Sequence, residues 1–240
     1  KYSTTVWGDF GFNGSGASAH PPWTMAIWFK TPTTGVIQTL IAWEDHSGGT
    51  WSRILLGNAP AGSSYSVAYQ CTNSAFDGTT GPGIGATGSY PYVACAIGTH
   101  PVVGNGWHQI VITSEGVPST GQVKLYLDGA LVDSGTQKTG IMDPDRYFYV
   151  SEGPGTLLYG GNVAQIGMWS GTEFSAAQVT ALYNSGSGID LAPLGPTVYY
   201  KMGNDPADTV GVGGTIIDNG SAGLDLDVIN TALIVSDAPP

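Results

Sequence analysis

Short apolar runs alternate along this chain with clusters of Gly, Pro, Asn and Ser, and many of the runs have the two-residue period of a strand. Gln122–Leu127 is the clearest case: Val123, Leu125 and Leu127 fall on one face, Lys124 and Tyr126 on the other. That alternation predicts a half-buried antiparallel strand. Asp128-Gly129 follows at once, and both residue types tolerate positive φ, so a two-residue type I′ hairpin turn is expected there. The same reading predicts strands over 4–9, 23–30, 36–43, 51–56, 65–71, 92–97, 107–113, 130–134, 147–150, 162–169 and 197–202, with a further one inside 224–235.

One helix interrupts this pattern. Ser175 stands three residues before Gln178, the spacing of a capping box, and Phe174 is placed to pack on Val179. Val179, Leu182 and Tyr183 line one face, and Gly186 is the expected left-handed terminator. A single short helix near 175–185 among a dozen strands predicts an all-β, antiparallel sandwich or barrel, since parallel architectures need a helix after nearly every strand. Residues 73–89 read as a long Gly-rich loop, and a second Gly/Pro-rich stretch spans 185–196. The expected division is a sandwich over 1–190 and a β-rich C-terminal extension over 191–240, packing on the sandwich or on a neighbouring subunit.

Composition narrows the setting. Seven Lys and Arg oppose eighteen Asp and Glu among 240 residues, a net charge of −11, so nucleic acid and anionic membrane surfaces are not expected partners. No apolar run approaches the roughly 20 residues of a membrane helix, so membrane insertion is not expected either. Only 10% of residues are charged, which leaves a Ser/Thr/Gly/Asn surface of a texture common in extracellular and particle-associated β proteins. The chain opens Lys1-Tyr2-Ser3 without an apolar leader, which suggests either trimming or another route out of the cell.

Candidate chemistry is sparse. Gly83-Ile84-Gly85-Ala86-Thr87-Gly88 spells a phosphate-loop pattern, but Pro91 bars the helix it would need. There is no GxSxG elbow and no HExxH, and His20, His46, His100 and His108 are scattered. His108, beside Trp107, reads as a structural edge residue. Glutamate occurs only at 44, 115, 152 and 173, and no strand carries carboxylates on alternate residues to aim a glycosidase pair into one cleft. No catalytic residue is assigned. Asp9, Asp45, Asp77, Asp143, Asp145 and Asp205 supply material for calcium without a calcium motif, so no cofactor is expected beyond that one candidate ion. Cys71 and Cys95 are either bridged, closing a loop of about 25 residues, or two separate buried thiols. Among seven Trp and twelve Tyr, Trp28, Trp107 and Trp169 read as core. Trp43, Trp51, Tyr90, Tyr92, Tyr147 and Tyr149 lie near predicted loops, where a flat ring can stack on a sugar or anchor a protein interface; these six are the candidate ligand-binding residues.

Four segments in order carry a family resemblance. Residues 23–30 (WTMAIWFK) resemble the early core strand of laminin-G-like, concanavalin-A-like jelly rolls. Residues 106–113 (GWHQIVIT) are similar to their WHxVxxT strand, and 123–132 (VKLYLDGALV) to their LYVDGxLV hairpin. Residues 160–169 (GGNVAQIGMW) followed by 174–183 (FSAAQVTALY) resemble their closing strand and short helix. The resemblance covers roughly 2–185. It implies the sandwich fold but leaves function open, because lectins, adhesion modules, glucanases and virion proteins share it. The Glu-x-Asp-x-Glu strand of the glucanase branch is missing, so the resemblance implies no hydrolysis.

Residues 199–205 (YYKMGND) and 216–220 (IIDNG) further resemble the tail of this jelly roll in structural proteins of tailed bacteriophages. That resemblance implies a non-catalytic decoration or fibre component on a virion surface, adhering to host glycans. Its expected partners are other virion proteins or further copies of the chain, together with a cell-surface glycan. On such a particle, 191–240 would pack against another chain. A secreted carbohydrate-binding lectin module, calcium-dependent or not, is the alternative, and a polysaccharide hydrolase the third.

Overall fold

The computed structural model describes residues 2–3, 21–31, 38–45, 51–56, 65–72, 92–96, 102, 104, 106–117, 120–136, 146–151, 159–228 and 239. Among the described residues, fourteen strands run in chain order: β1 (Tyr2–Ser3), β2 (Trp23–Lys30), β3 (Gln38–Asp45), β4 (Trp51–Leu56), β5 (Tyr65–Thr72), β6 (Tyr92–Ala96), β7 (His108–Ser114), β8 (Gln122–Leu127), β9 (Ala130–Thr136), β10 (Arg146–Val150), β11 (Asn162–Ser170), β12 (Val198–Tyr200), β13 (Thr215–Ile216) and β14 (Leu226–Val228). They form two antiparallel sheets. The larger has the order β13-β14-β1-β10-β3-β4-β5-β6, the smaller β12-β11-β2-β7-β8-β9. The expected all-β sandwich is what forms.

Strand parity builds the core. Met25, Ile27 and Phe29 of β2, Ile110 and Ile112 of β7, and Leu125 and Leu127 of β8 point from the smaller sheet into the space between the sheets. Leu40, Ile41, Ile54, Val67, Tyr69, Phe148 and Val150 meet them from the larger sheet. Tyr159 closes the end of this layer, its hydroxyl donating to the Lys30 carbonyl at 2.6 Å.

A second apolar layer lies on the outward face of the smaller sheet. Ala26, Val111, Tyr126, Trp169 and Tyr199 are covered there by Phe174, Val179, Leu182 and Leu191. The helix α1 (Ala176–Tyr183) supplies much of that cover. Its capping box forms as expected: Gln178 N donates to Ser175 Oγ and Ser175 N donates to Gln178 Oε1. Phe174 and Val179 share the layer, as the staple spacing implies. The helix ends earlier than expected. Asn184, at φ 48°, is the left-handed cap, and Ser185 and Gly186 continue at φ 57° and 93°. This cover also corrects the half-buried reading of β8, because Tyr126 is buried on the face expected to meet solvent.

The C-terminal stretch is woven into both sheets. β12 extends the smaller sheet beside β11, while β13 and β14 extend the larger one beside β1. Within 191–228, β12, β13 and β14 thus pair with strands of the same sandwich, and 229–238 of the predicted extension lie outside the described residues. Leu191 seats against Gly167, where a Cβ would come within 2.6 Å of Leu191 Cδ1. The acidic residues of this stretch act as backbone staples. Asp218 accepts from the amides of Tyr199, Gly220 and Leu224, each at 2.8 Å. Asp208 accepts from Gly203 and Ile217. The predicted strand 4–9 and the loop 73–89, with its glycine pattern, lie outside the described residues.

Candidate ligand face and its register

The ladders of the larger sheet align candidate residues in rows. One row runs Tyr149, Ala42, Arg53, Gln70, Tyr92 across β10-β3-β4-β5-β6. A second, two residues further along, runs Tyr147, Glu44, Trp51, Thr72. Side chains alternate faces along a strand, so both rows have the parity opposite to Ile41, Ile54, Tyr69 and Val150, which fill the core. Four of the six candidate aromatics, Trp51, Tyr92, Tyr147 and Tyr149, thus stand at register positions of one parity. Trp43 does not join them: it stands in the row of Phe148, whose ring lies in the core layer. Tyr90 lies outside the described residues.

The face is partly covered. Ala42, Arg53 and Ala68 are buried, and Tyr149 is half-buried. Arg53 is the one fully buried Lys or Arg among the described residues. A guanidinium removed from water needs partners within the protein, and Arg53 is engaged within the chain.

The opposite side of the molecule is closed. Trp28 stacks on Tyr183 with ring centroids 5.7 Å apart and planes 21° apart, and Gln109 Nε2 donates to the Leu182 carbonyl. Trp28 and Trp169 are core residues as expected, whereas Trp107 is only half-buried.

Several described carboxylates are held by hydrogen bonds within the chain. His108 Nδ1 meets Asp128 Oδ2 at 2.7 Å, and Asp128 Oδ1 accepts from Gln109 N at 2.9 Å. His108 is an edge residue clamping the β8–β9 turn, in which Asp128 and Gly129 take φ 52° and 79° as the hairpin signal implies. Glu173 accepts from Lys124 Nζ at 2.7 Å, which holds the Lys124 pKa above its ordinary value, against the smaller opposing effect of burial. Glu115 accepts from Gln122 N. Of the calcium candidates, Asp205 accepts from Ala207 N in a local turn, and the side chains of Asp9, Asp45, Asp77, Asp143 and Asp145 lie outside the described residues. Among the described residues, no group of three or more His, Cys, Asp and Glu is arranged to hold a metal ion.

Register also speaks to the cysteines. Cys95 of β6 is paired with Val67 of β5, four residues from Cys71. At about 3.3 Å per residue this separates them by about 13 Å along the ladder. A disulfide spans at most about 7 Å between Cα atoms, so this register favours the two-thiol alternative.

No family model matches the chain, and no curated protein matches it. Solved structures do. A candidate carbohydrate-binding protein from Bacteroides ovatus superposes with a TM-score of 0.59 at 18% identity, over 100% of this chain and 59% of that one. The chain therefore spans about three-fifths of that protein's length. A heptameric pentraxin from Limulus polyphemus gives 0.46 at 10% identity over 76% of this chain and 75% of its own. The CBM40 module of a Ruminococcus gnavus sialidase gives 0.46 at 15% identity over 72% of this chain and 96% of its own. The chain shares the β-sandwich fold. The first of these likenesses shows that much and no more.

Proposed function

We propose that the protein is a non-catalytic carbohydrate-binding module that meets its glycan on the outward face of the larger sheet. The observation that carries this reading is the shared register parity of Trp51, Tyr92, Tyr147 and Tyr149 with Gln70 and Glu44. Aromatic rings stack on the apolar faces of sugar rings, while amide and carboxylate groups serve their hydroxyls. The Bacteroides ovatus protein of the same fold is described as carbohydrate-binding, which agrees with this reading. The absence of catalysis is part of the proposal: Glu115, Glu173, Asp128, Asp208 and Asp218 each engage an amide or a basic side chain of the chain itself.

The setting we propose is extracellular or on a particle surface, as the sparse charge and Gly/Ser texture suggest. A virion decoration role draws on sequence resemblance alone. Titration calorimetry against a panel of neutral and acidic oligosaccharides, paired with a reducing-sugar assay, tests the proposal. Saturable binding without release of reducing ends is the expected result. Hydrolysis, or no heat with any glycan, overturns it.

A further inference from the structure

Three polar atoms on the outward face of the smaller sheet are sealed from solvent and find no hydrogen-bond partner among the described residues: Trp28 Nε1, Gln109 Oε1 and Gln165 Oε1. They come from three adjacent strands. Trp28 of β2 faces Gln109 of β7 on one side and Ala164 of β11 on the other, and Gln165 is the extra residue of the bulge in β11. Trp28 and Gln109 are each 1% exposed. Buried polar groups in folded proteins are almost always satisfied, so three together on neighbouring strands call for a shared partner.

The orientation of each group is constrained. Gln109 Nε2 donates to the Leu182 carbonyl at 3.4 Å, and reversing the amide would set two oxygens against each other. Gln165 has φ 43° inside a strand, a region that a residue with a Cβ seldom occupies. A bulge re-aims a side chain, and here the amide lies under the segment that follows α1: its Oε1 is 3.3 Å from where a Cβ on Gly188 would stand. The Tyr183 ring, at the end of α1, stacks on Trp28.

We propose that Trp28, Gln109 and Gln165 hold one buried water between the smaller sheet and the α1 segment. The count of donors and acceptors selects the ligand. One N–H and two carbonyl oxygens require a partner that accepts once and donates twice, and water does both with the three bonds usual for a buried molecule. A single sugar hydroxyl has one hydrogen and serves one of the two oxygens. An ammonium or metal cation cannot accept from the indole. The water would tie β7, β2 and β11 to the helix above them, and it gives the strained conformation of Gln165 a purpose. This site is separate from the proposed glycan face and stands or falls independently of it.

The test is water-selective NMR on the full-length, nitrogen-labelled protein, with the Trp28 indole assigned through its own ring connectivities. We expect a cross-peak between the Trp28 Nε1 proton and water, with the sign of a molecule that tumbles with the protein. It should persist in Tyr183→Phe, which removes relay through the nearby hydroxyl, and be lost or reversed in sign in Gln109→Met and Gln165→Met. Absence of the cross-peak in the unmodified protein, or its loss in Tyr183→Phe alone, overturns the proposal. The measurement on the unmodified protein decides the matter even where a methionine variant fails to fold.

Discussion

His108 and Asp128 form the clamp of the β8–β9 turn: the imidazole Nδ1 lies 2.7 Å from one carboxylate oxygen while the other oxygen takes the amide of Gln109. Asp128 does this from a left-handed backbone at φ 52°. Asp128→Ala removes both acceptors and puts a Cβ-bearing residue without local hydrogen bonding into that conformation. It should cost about 2 kcal/mol in urea unfolding. Asp128→Asn keeps an acceptor and tolerates the conformation, so its loss should be clearly smaller. An Asn variant as damaged as the Ala variant would contradict this.

Gly167 and Leu191 test whether the C-terminal stretch is seated as described. A methyl at Gly167 would stand 2.6 Å from Leu191 Cδ1 and 2.8 Å from the Trp169 ring. Gly167→Ala should therefore destabilise by about 1–3 kcal/mol through overpacking. In a Leu191→Ala background, part of that clash is gone and the cost should fall, giving a coupling of about 0.5 kcal/mol or more in a double-mutant cycle. Strict additivity would mean that Leu191 is not on Gly167.

The thiols offer a chemical check of register. With Cys95 opposite Val67, both cysteines should titrate with a thiol reagent in denaturant without prior reduction, and mobility should not change on reduction. Recovery of no free thiol would show that β5 and β6 pair differently.

Buried phenols set an alkaline limit. Burial pushes the Tyr199 hydroxyl up to about 12 from 10.0, outweighing the Leu191 backbone hydrogen bond that favours ionisation. Tyr159 and Tyr200 are also raised, chiefly by burial. In the unfolded chain these groups ionise near 10, so between 10 and the raised values the unfolded state holds fewer protons than the folded one. The stability they contribute is intact below pH 10 and falls as pH rises toward 12. Chemical denaturation across pH 8–11.5 should show that decline, with delayed phenolate absorbance in the folded protein. A flat profile would contradict the burial of these rings.

Local signals were legible in the sequence, and signals that depend on register were not. The Asp128-Gly129 turn and the Ser175–Gln178 capping box each lie within four residues and form as read. Trp43 and Trp51 look alike in sequence, both aromatic and near loops. Only the pairing of β3 with β10 and β4 separates a position in the Phe148 row from one in the Tyr147 row. Tyr126 likewise alternates as a solvent-facing residue should, and is buried because a helix some fifty positions later folds over it. The β11 bulge at Gln165 has no sequence signature, since Gln is neither glycine nor a usual left-handed residue. The left-handed cap falls on Asn184, two residues ahead of Gly186, because Asn also tolerates that conformation.

The most direct test of the account is calorimetry with a glycan that the panel identifies, comparing the unmodified protein with Trp51→Ala, Tyr149→Ala and, as a control on the closed side, Thr180→Ala. Trp51 and Tyr149 stand at register positions of the same parity in the larger sheet, and Thr180 sits on the exposed side of α1. Losing a stacking ring should weaken binding by about 10-fold, corresponding to about 1.4 kcal/mol. The control should bind as the unmodified protein does, and a chelator should change nothing. Full affinity in both aromatic variants, or loss of affinity in Thr180→Ala alone, would contradict the assignment of that face.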